Sequence, residues 1–160
     1  MMDKETKVSN ANQAYQIMIA ALDNMNWKYK RDDEKLMVRF SATGNDLSTS
    51  FAFFIDADRQ LIRLLGFLPF EMSEDKRVEG SIATNVANYK FADGSFDYNI
   101  SNGKIIWRMT ASFYDSLVGF ELFQYMIRCS CHTIDKYNDQ FLAINEGKLS
   151  LQEFIEKNTN

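Results

Sequence analysis

The stretch SLVGFELFQYMIRCSCHTIDKYNDQFLAIN, residues 116–145, decides the fold. Its apolar groups at Phe120, Phe123, Ile127, Ile134, Tyr137 and Phe141 step by three, four, seven, three and four, which is one helical face. Ser130 fills the gap in that line. Leu122, Met126 and Cys129 form a second, adjacent line, so the apolar arc is wide. A helix this long and this apolar must lie against a broad surface. The strand Lys104–Tyr114 leads directly into it.

The preceding chain supplies such a surface. Leu36, Val38, Phe40 and Ala42 alternate with Met37, Arg39 and Ser41; Phe51, Phe53 and Ile55 alternate with Ser50, Ala52, Phe54 and Asp56. That is strand periodicity with one apolar face. Asp56–Arg59 reads as a hairpin turn, and Gln60–Phe67 follows as a strand apolar on both faces apart from Arg63. Such a strand is usually covered on both sides, by a second layer or another subunit. Phe96, Tyr98 and Ile100 alternate with Ser95, Asp97 and Asn99. Ser101-Asn102-Gly103-Lys104 is the strongest hairpin signal, because Asn-Gly suits a type I′ turn. Ile105, Trp107, Met109 and Ala111 face the core on the returning strand. Short links within each strand group require antiparallel pairing.

Three further helices complete the order. Asn10 or Asn12 caps a helix whose stripe is Ala14, Tyr15, Met18, Ala21, Leu22 and Met25. Ser73 caps a middle helix with Glu74 and Asp75 in its first turn and Val78, Ile82, Val86 and Tyr89 as its buried stripe. Ser150 caps a short last helix containing Leu151, Phe154 and Ile155. The expected fold is α+β: a five-stranded antiparallel sheet with helices packed on one face, in the order α-βββ-α-ββ-α-α. Residues 1–9 are expected to be a frayed tail and residues 10–157 a single domain.

The 160 residues suffice for one core; a chain of this size buries roughly 70% of its unfolded surface. Net charge is −4 and the pI near 5.0. That balance speaks against nucleic acid and acidic membranes as partners, since phosphate binding needs clustered Lys and Arg. No apolar signal core opens the chain and no stretch is apolar enough to span a bilayer. Cys129 and Cys131 turn about 200° from each other on a helix, which disfavours a disulfide. Two reduced thiols point to a cytoplasmic setting.

Chemistry finds little foothold. One histidine, His132, excludes any zinc site with two histidines from one chain. Cys129 and His132 share a helical face, yet no third orienting group or oxyanion site accompanies them; they read as packing and boundary residues. Asp32-Asp33-Glu34 and Glu74-Asp75 read as a charged turn and a helix start rather than paired acid–base groups. Phe51, Phe53, Phe96 and Tyr98 read as core rather than as a base-stacking platform. No nucleotide or nucleophile motif is present. Catalytic, metal and cofactor-binding residues are expected to be none. The apolar segment Phe67-Leu68-Pro69-Phe70 either tucks under a helix or meets a partner.

From Pro69 onward the order becomes that of a known family. Pro69 precedes the middle helix, Asn85 and Asn88 lie near its end, Gly94-Ser95-Phe96 begins a strand, and the Asn102-Gly103 hairpin, the long helix and Glu146-Gly147 follow. In this sequence of elements the chain resembles the YbjN family of proposed bacterial sensory transduction regulators, whose fold is similar to that of the type III secretion chaperones. The resemblance spans roughly Ala11 to Lys157. It implies a single α+β domain, often paired as a homodimer, that binds proteins without established catalytic residues.

Two functions are therefore weighed. The first is a non-enzymatic protein-interaction module, chaperone-like or regulatory, probing its partner with Phe67, Leu68, Phe70 and Met126 and pairing as a homodimer. The second is a small-ligand binder or enzyme with a pocket between the sheet and the long helix, lined by Arg63, Tyr98, Arg108 and His132.

Overall fold

The computed structural model describes residues 2–116 and 118–159; Met1, Leu117 and Asn160 lie outside them. The elements run α1 (Lys4–Asn24), β1 (Lys30–Asp32), β2 (Met37–Thr43), β3 (Ser48–Asp56), β4 (Leu61–Glu71), α2 (Arg77–Asn88), β5 (Ser95–Asn99), β6 (Lys104–Ser112), α3 (Phe120–Asn145) and α4 (Leu151–Thr159). The strands form one antiparallel sheet in the order β1-β2-β3-β4-β6-β5. The α+β class is as expected, with six strands in place of five. The sixth is β1, whose three residues pair with Met37–Arg39. So short a strand has no alternation of its own to read; its partner makes it a strand.

The period-2 pattern holds across the sheet. Val38, Phe40, Phe51, Phe53, Ile55, Ile62, Leu64, Phe96, Ile105, Trp107 and Met109 are buried on one face. Against that face lie α1 and α3. On α3, Phe123, Met126, Ile127, Ile134, Tyr137 and Phe141 are all buried, so both of its apolar lines serve the core. Ser130, the gap in the first line, is where the sheet's largest side chain needs a polar partner: the Trp107 indole N–H donates to its Oγ at 2.8 Å. Each large apolar side chain so buried contributes about 1.5–3 kcal/mol. Phe154 on α4 extends the core beyond α3, 5.8 Å from the ring of Phe141.

Four local expectations change. The N-terminus is helical from Lys4, capped by Asp3, whose Oδ1 accepts from Thr6 N–H at 2.8 Å. The β3–β4 hairpin anchors it: Gln60 Nε2 donates to the Lys7 carbonyl, and Lys7 Nζ donates to the Asp58 carbonyl. These contacts, more than fifty residues apart in the chain, are why residues 4–9 are not a loose tail. The strand expected to end at Phe67 runs on to Glu71, so the apolar segment Phe67–Phe70 is the end of β4. The pairing shifts there, four steps on β4 between Phe67 and Glu71 matching two on β6, because Pro69 has no N–H for the ladder. The hairpin before β6 is a four-residue loop rather than a type I′ turn. Only Gly103 has positive φ, at 76°, and its N–H donates back to the Asn99 carbonyl at 2.7 Å.

The fourth change concerns α2. Its buried residues are Gly80, Ala83, Thr84 and Ala87. Val78, Ile82 and Tyr89, expected inside, are exposed, and Val86 is half-buried. The small residues face inward because α2 lies close against β5: a Cβ added at Gly80 would stand 2.8 Å from Met72 Cγ and 2.9 Å from the Tyr98 hydroxyl.

Candidate functional site

All four helices leave the second face of the sheet bare. Its residues are fixed by pairing register. One row crosses the strands as Lys30, Arg39, Ala52, Leu65, Arg108 and Ser95. A neighbouring row runs Met37, Phe54, Arg63 and Thr110; the next runs Ser41, Ser50, Phe67, Ile106 and Asp97. Met37, Phe54, Leu65 and Ile106 are half-buried and Phe67 is 38% exposed. Between β1 and β4 this face holds an open hollow of ≈ 960 Å³, whose rim includes Lys28 and Tyr29 just before β1. The doubly apolar character of β4 is thus real, and one of its faces carries no cover.

Charge divides the face into two parts. On the β6–β5 side it is balanced. Arg108 donates to Asp97 through Nε at 2.6 Å and through its terminal nitrogen at 3.0 Å, and to Ser95 Oγ at 3.3 Å. Partial burial pushes the Asp97 carboxyl up, but the bonds from Arg108 and Ser95 outweigh it and leave the group below its ordinary value. Arg63 stacks 5.5 Å over the Phe54 ring. On the β1–β3 side, Lys28, Lys30 and Arg39 line the hollow, whose lining holds no carboxylate; Asp32, opposite Met37 at its margin, is paired with Lys35 at 3.2 Å. None of the three enters an ion pair among the described residues. Lys30 and Arg39 are direct cross-strand partners.

A second surface lies on α2. Val78, Ile82 and Tyr89 are 63, 41 and 90% exposed along one side of the helix. Between them stand uncharged Asn85 and Ser81; the flanking Lys76 and Glu79 pair with each other at 2.8 Å.

The residues singled out in the sequence disperse. Phe67 and Phe70 reach the surface, and they line a smaller hollow with Pro69 and Ile106. Leu68 and Met126 are core residues, which removes them from any partner-facing surface. Arg63 and Arg108 stand on the bare face, opposite α3. Tyr98 points to the helical side, near Met72 and Gly80, and His132 is exposed on α3. The four do not meet, because the space between sheet and α3 is filled by the core. The exception is a hollow of ≈ 170 Å³ at the β2–β3 end, lined by Trp27, Thr49, Cys131, Asp135 and Asn138. Burial first, and Asp135 second, push the Cys131 thiol up to about 11. No group of three His, Cys, Asp or Glu among the described residues is placed to hold a metal ion. No helix among them is long and apolar enough to cross a membrane.

Lys28, Lys30, Arg39 and the outer stripe of α2 escape a reading by composition. The signal for the cations was the alternation that puts Arg39 outward. Its meaning depends on register with β1 and β3, which alternation does not supply.

No family model and no curated protein matches the chain. Among solved structures, it is similar to the crystal structure of YbjN, a candidate transcription regulator of E. coli. The match covers 79% of this chain and 92% of that one, at a TM-score of 0.56 and 11% identity. In its α+β fold this chain is similar to YbjN.

Proposed function

We propose that the protein is a non-catalytic interaction module of the cytoplasm that works as a homodimer in a regulatory or chaperone-like role. The observation that carries this reading is the outward stripe Val78, Ile82 and Tyr89 on α2. Exposed apolar side chains grouped on one helix face mark a contact surface. A second copy suits it because the stripe itself is uncharged, so a two-fold axis through α2 brings no like charges together. With the axis perpendicular to α2 the two copies run antiparallel, and Glu74 and Asp75 at the start of one helix approach Lys90 beyond the end of the other. The bare sheet face suits self-pairing less well, since Lys30 and Arg39 would add to each other's repulsion.

The regulatory side of the reading draws on the fold of YbjN. Its non-catalytic side draws on the dispersal of Arg63, Tyr98, Arg108 and His132 over different surfaces. Sedimentation velocity across a concentration series tests the dimer. Wild type is expected to associate and Ile82→Glu to sediment as a folded monomer. A wild-type chain that stays monomeric at every concentration rules the dimer out.

A further inference from the structure

We infer that the bare sheet face between β1 and β4 seats an acidic amphipathic helix of a partner protein. The inference rests on the reading of the chain as an interaction module and names the partner chemistry of a surface distinct from the α2 stripe.

Three observations converge. The first is a charge pairing that works against the fold. Lys30 and Arg39 stand directly opposite each other on neighbouring strands, with Lys28 on the same hollow. Like charges in cross-strand register destabilise a sheet. Among the described residues neither cation enters an ion pair, and the carboxylate that shares their side of β1, Asp32, is engaged by Lys35 at 3.2 Å. This occurs in a chain of net charge −4, which has acids to spare. An anion from outside turns the cost into binding energy.

The second is the apolar centre. Met37, Phe54, Leu65 and Phe67 adjoin the cations, each only partly covered. The occupant therefore carries an apolar stripe with carboxylates along one side of it. The third is shape. The hollow is broad and open rather than enclosed, and four strands at about 4.8 Å spacing span somewhat more than a helix of 10–12 Å diameter. A helix laid into an apolar groove through one face is a recurring recognition mode.

The same features argue against the other occupants. A single-stranded nucleic acid wants successive free stacking faces; here Arg63 already covers the Phe54 ring at 5.5 Å, leaving Phe67 among the non-aromatic Met37, Ala52 and Leu65. A second copy meets Lys30 and Arg39 with cations of its own.

The test uses the full chain and fluorescence anisotropy with three labelled probes. One is a synthetic helical peptide with a leucine stripe flanked by glutamates. The second replaces those glutamates with lysines. The third is oligothymidylate. The glutamate peptide is expected to bind saturably and to weaken as salt rises. Lys30→Glu with Arg39→Glu should weaken it at least tenfold and create binding of the lysine peptide. Leu65→Asp should abolish both. The charge swap guards against misfolding, because a misfolded variant gains no new ligand. The inference is overturned by absent binding of the glutamate peptide, by equal binding of both peptides, or by tighter binding of oligothymidylate. Self-association lost in Arg39→Glu also overturns it, since a second copy then covers the face. If the peptide fails while Ile82→Glu still splits a dimer, only this inference falls. If the peptide binds while the chain is monomeric throughout, only the α2 dimer falls.

Discussion

The carboxamide of Asn88 satisfies both backbone polar groups of Phe96. Its Nδ2 donates to the Phe96 carbonyl at 2.9 Å, and its Oδ1 accepts from the Phe96 N–H at 2.7 Å. These groups point away from β6, on the outer edge of the sheet. One side chain at the end of α2 thus stands in for a seventh strand. It ties the helix to β5 and blocks pairing with another chain at that edge. Asn88→Ala should cost about 1–3 kcal/mol, the price of two unpaired backbone groups. Urea denaturation followed by circular dichroism measures it. The same variant should aggregate more readily on warming, through the opened edge. An unchanged urea midpoint would show that water replaces the amide without loss.

Trp107 depends on a similar single contact. The indole is fully buried and ringed by Phe91 and Phe96 at 5.4 and 5.1 Å, both edge-on. Its N–H has Ser130 Oγ at 2.8 Å, and that hydroxyl in turn faces Met109 Sδ at 3.8 Å. Ser130→Ala keeps the volume nearly constant and removes the acceptor. It should destabilise the fold by about 1–3 kcal/mol and shift the Trp107 emission. Ser130→Val restores no acceptor and should cost at least as much. A more stable Ser130→Val chain would mean that the indole finds another partner.

These two contacts mark the limit of what the chain's pattern discloses. The strand faces were legible because alternation with one buried face leaves a period of two, as at Phe51, Phe53 and Ile55. The face of α3 was legible because its partner is broad and flat. The Ser130 gap and the Asn88 amide were visible as residues, but their use depends on Trp107 and Phe96, twenty-three and eight positions away. The inversion of α2 has a steric origin. Apolar spacing favours Val78 and Ile82, whereas close approach to β5 and Met72 admits only Gly80 and Ala83. The bare face was half-legible: Arg63 and Arg108 were recognisable as outward strand residues, but the Lys30–Arg39 pair needed β1.

The two sides of α2 should respond in opposite ways to substitution. Ala83→Leu inserts three carbons where the helix meets the core and should cost about 1–3 kcal/mol. The double substitution Val78→Ser with Ile82→Ser lies on the outer side. Measured below the concentration at which copies associate, it should leave stability within about 0.5 kcal/mol. Thermal melts of both variants decide the orientation of the helix. A strongly destabilised serine pair with a tolerant Ala83→Leu would reverse it.

The acid limb of the stability curve should report the joint between α1 and the β1–β2 turn. The Tyr15 hydroxyl donates to Asp33 Oδ1 at 2.6 Å, and Arg31 Nε donates to the same oxygen at 2.9 Å. The Tyr15 bond first, and Arg31 second, hold the Asp33 carboxyl below its ordinary 3.8. Burial first, and Asp33 second, push Tyr15 above its ordinary 10.0. The folded chain therefore binds the Asp33 proton less tightly than the unfolded chain. The stabilisation is present above pH 3.8 and is lost as pH falls through the lower folded value. For Tyr15 the sign is opposite. Its stabilisation is present below pH 10.0 and is lost as pH rises through the higher folded value. Tyr15→Phe should lower the urea midpoint across the neutral range, and the gap to wild type should narrow at both extremes. Midpoints at acid, neutral and alkaline pH check this. A gap that keeps its neutral size far below pH 3.8 would show that the ring's packing, and not its bond to Asp33, sets the contribution of Tyr15.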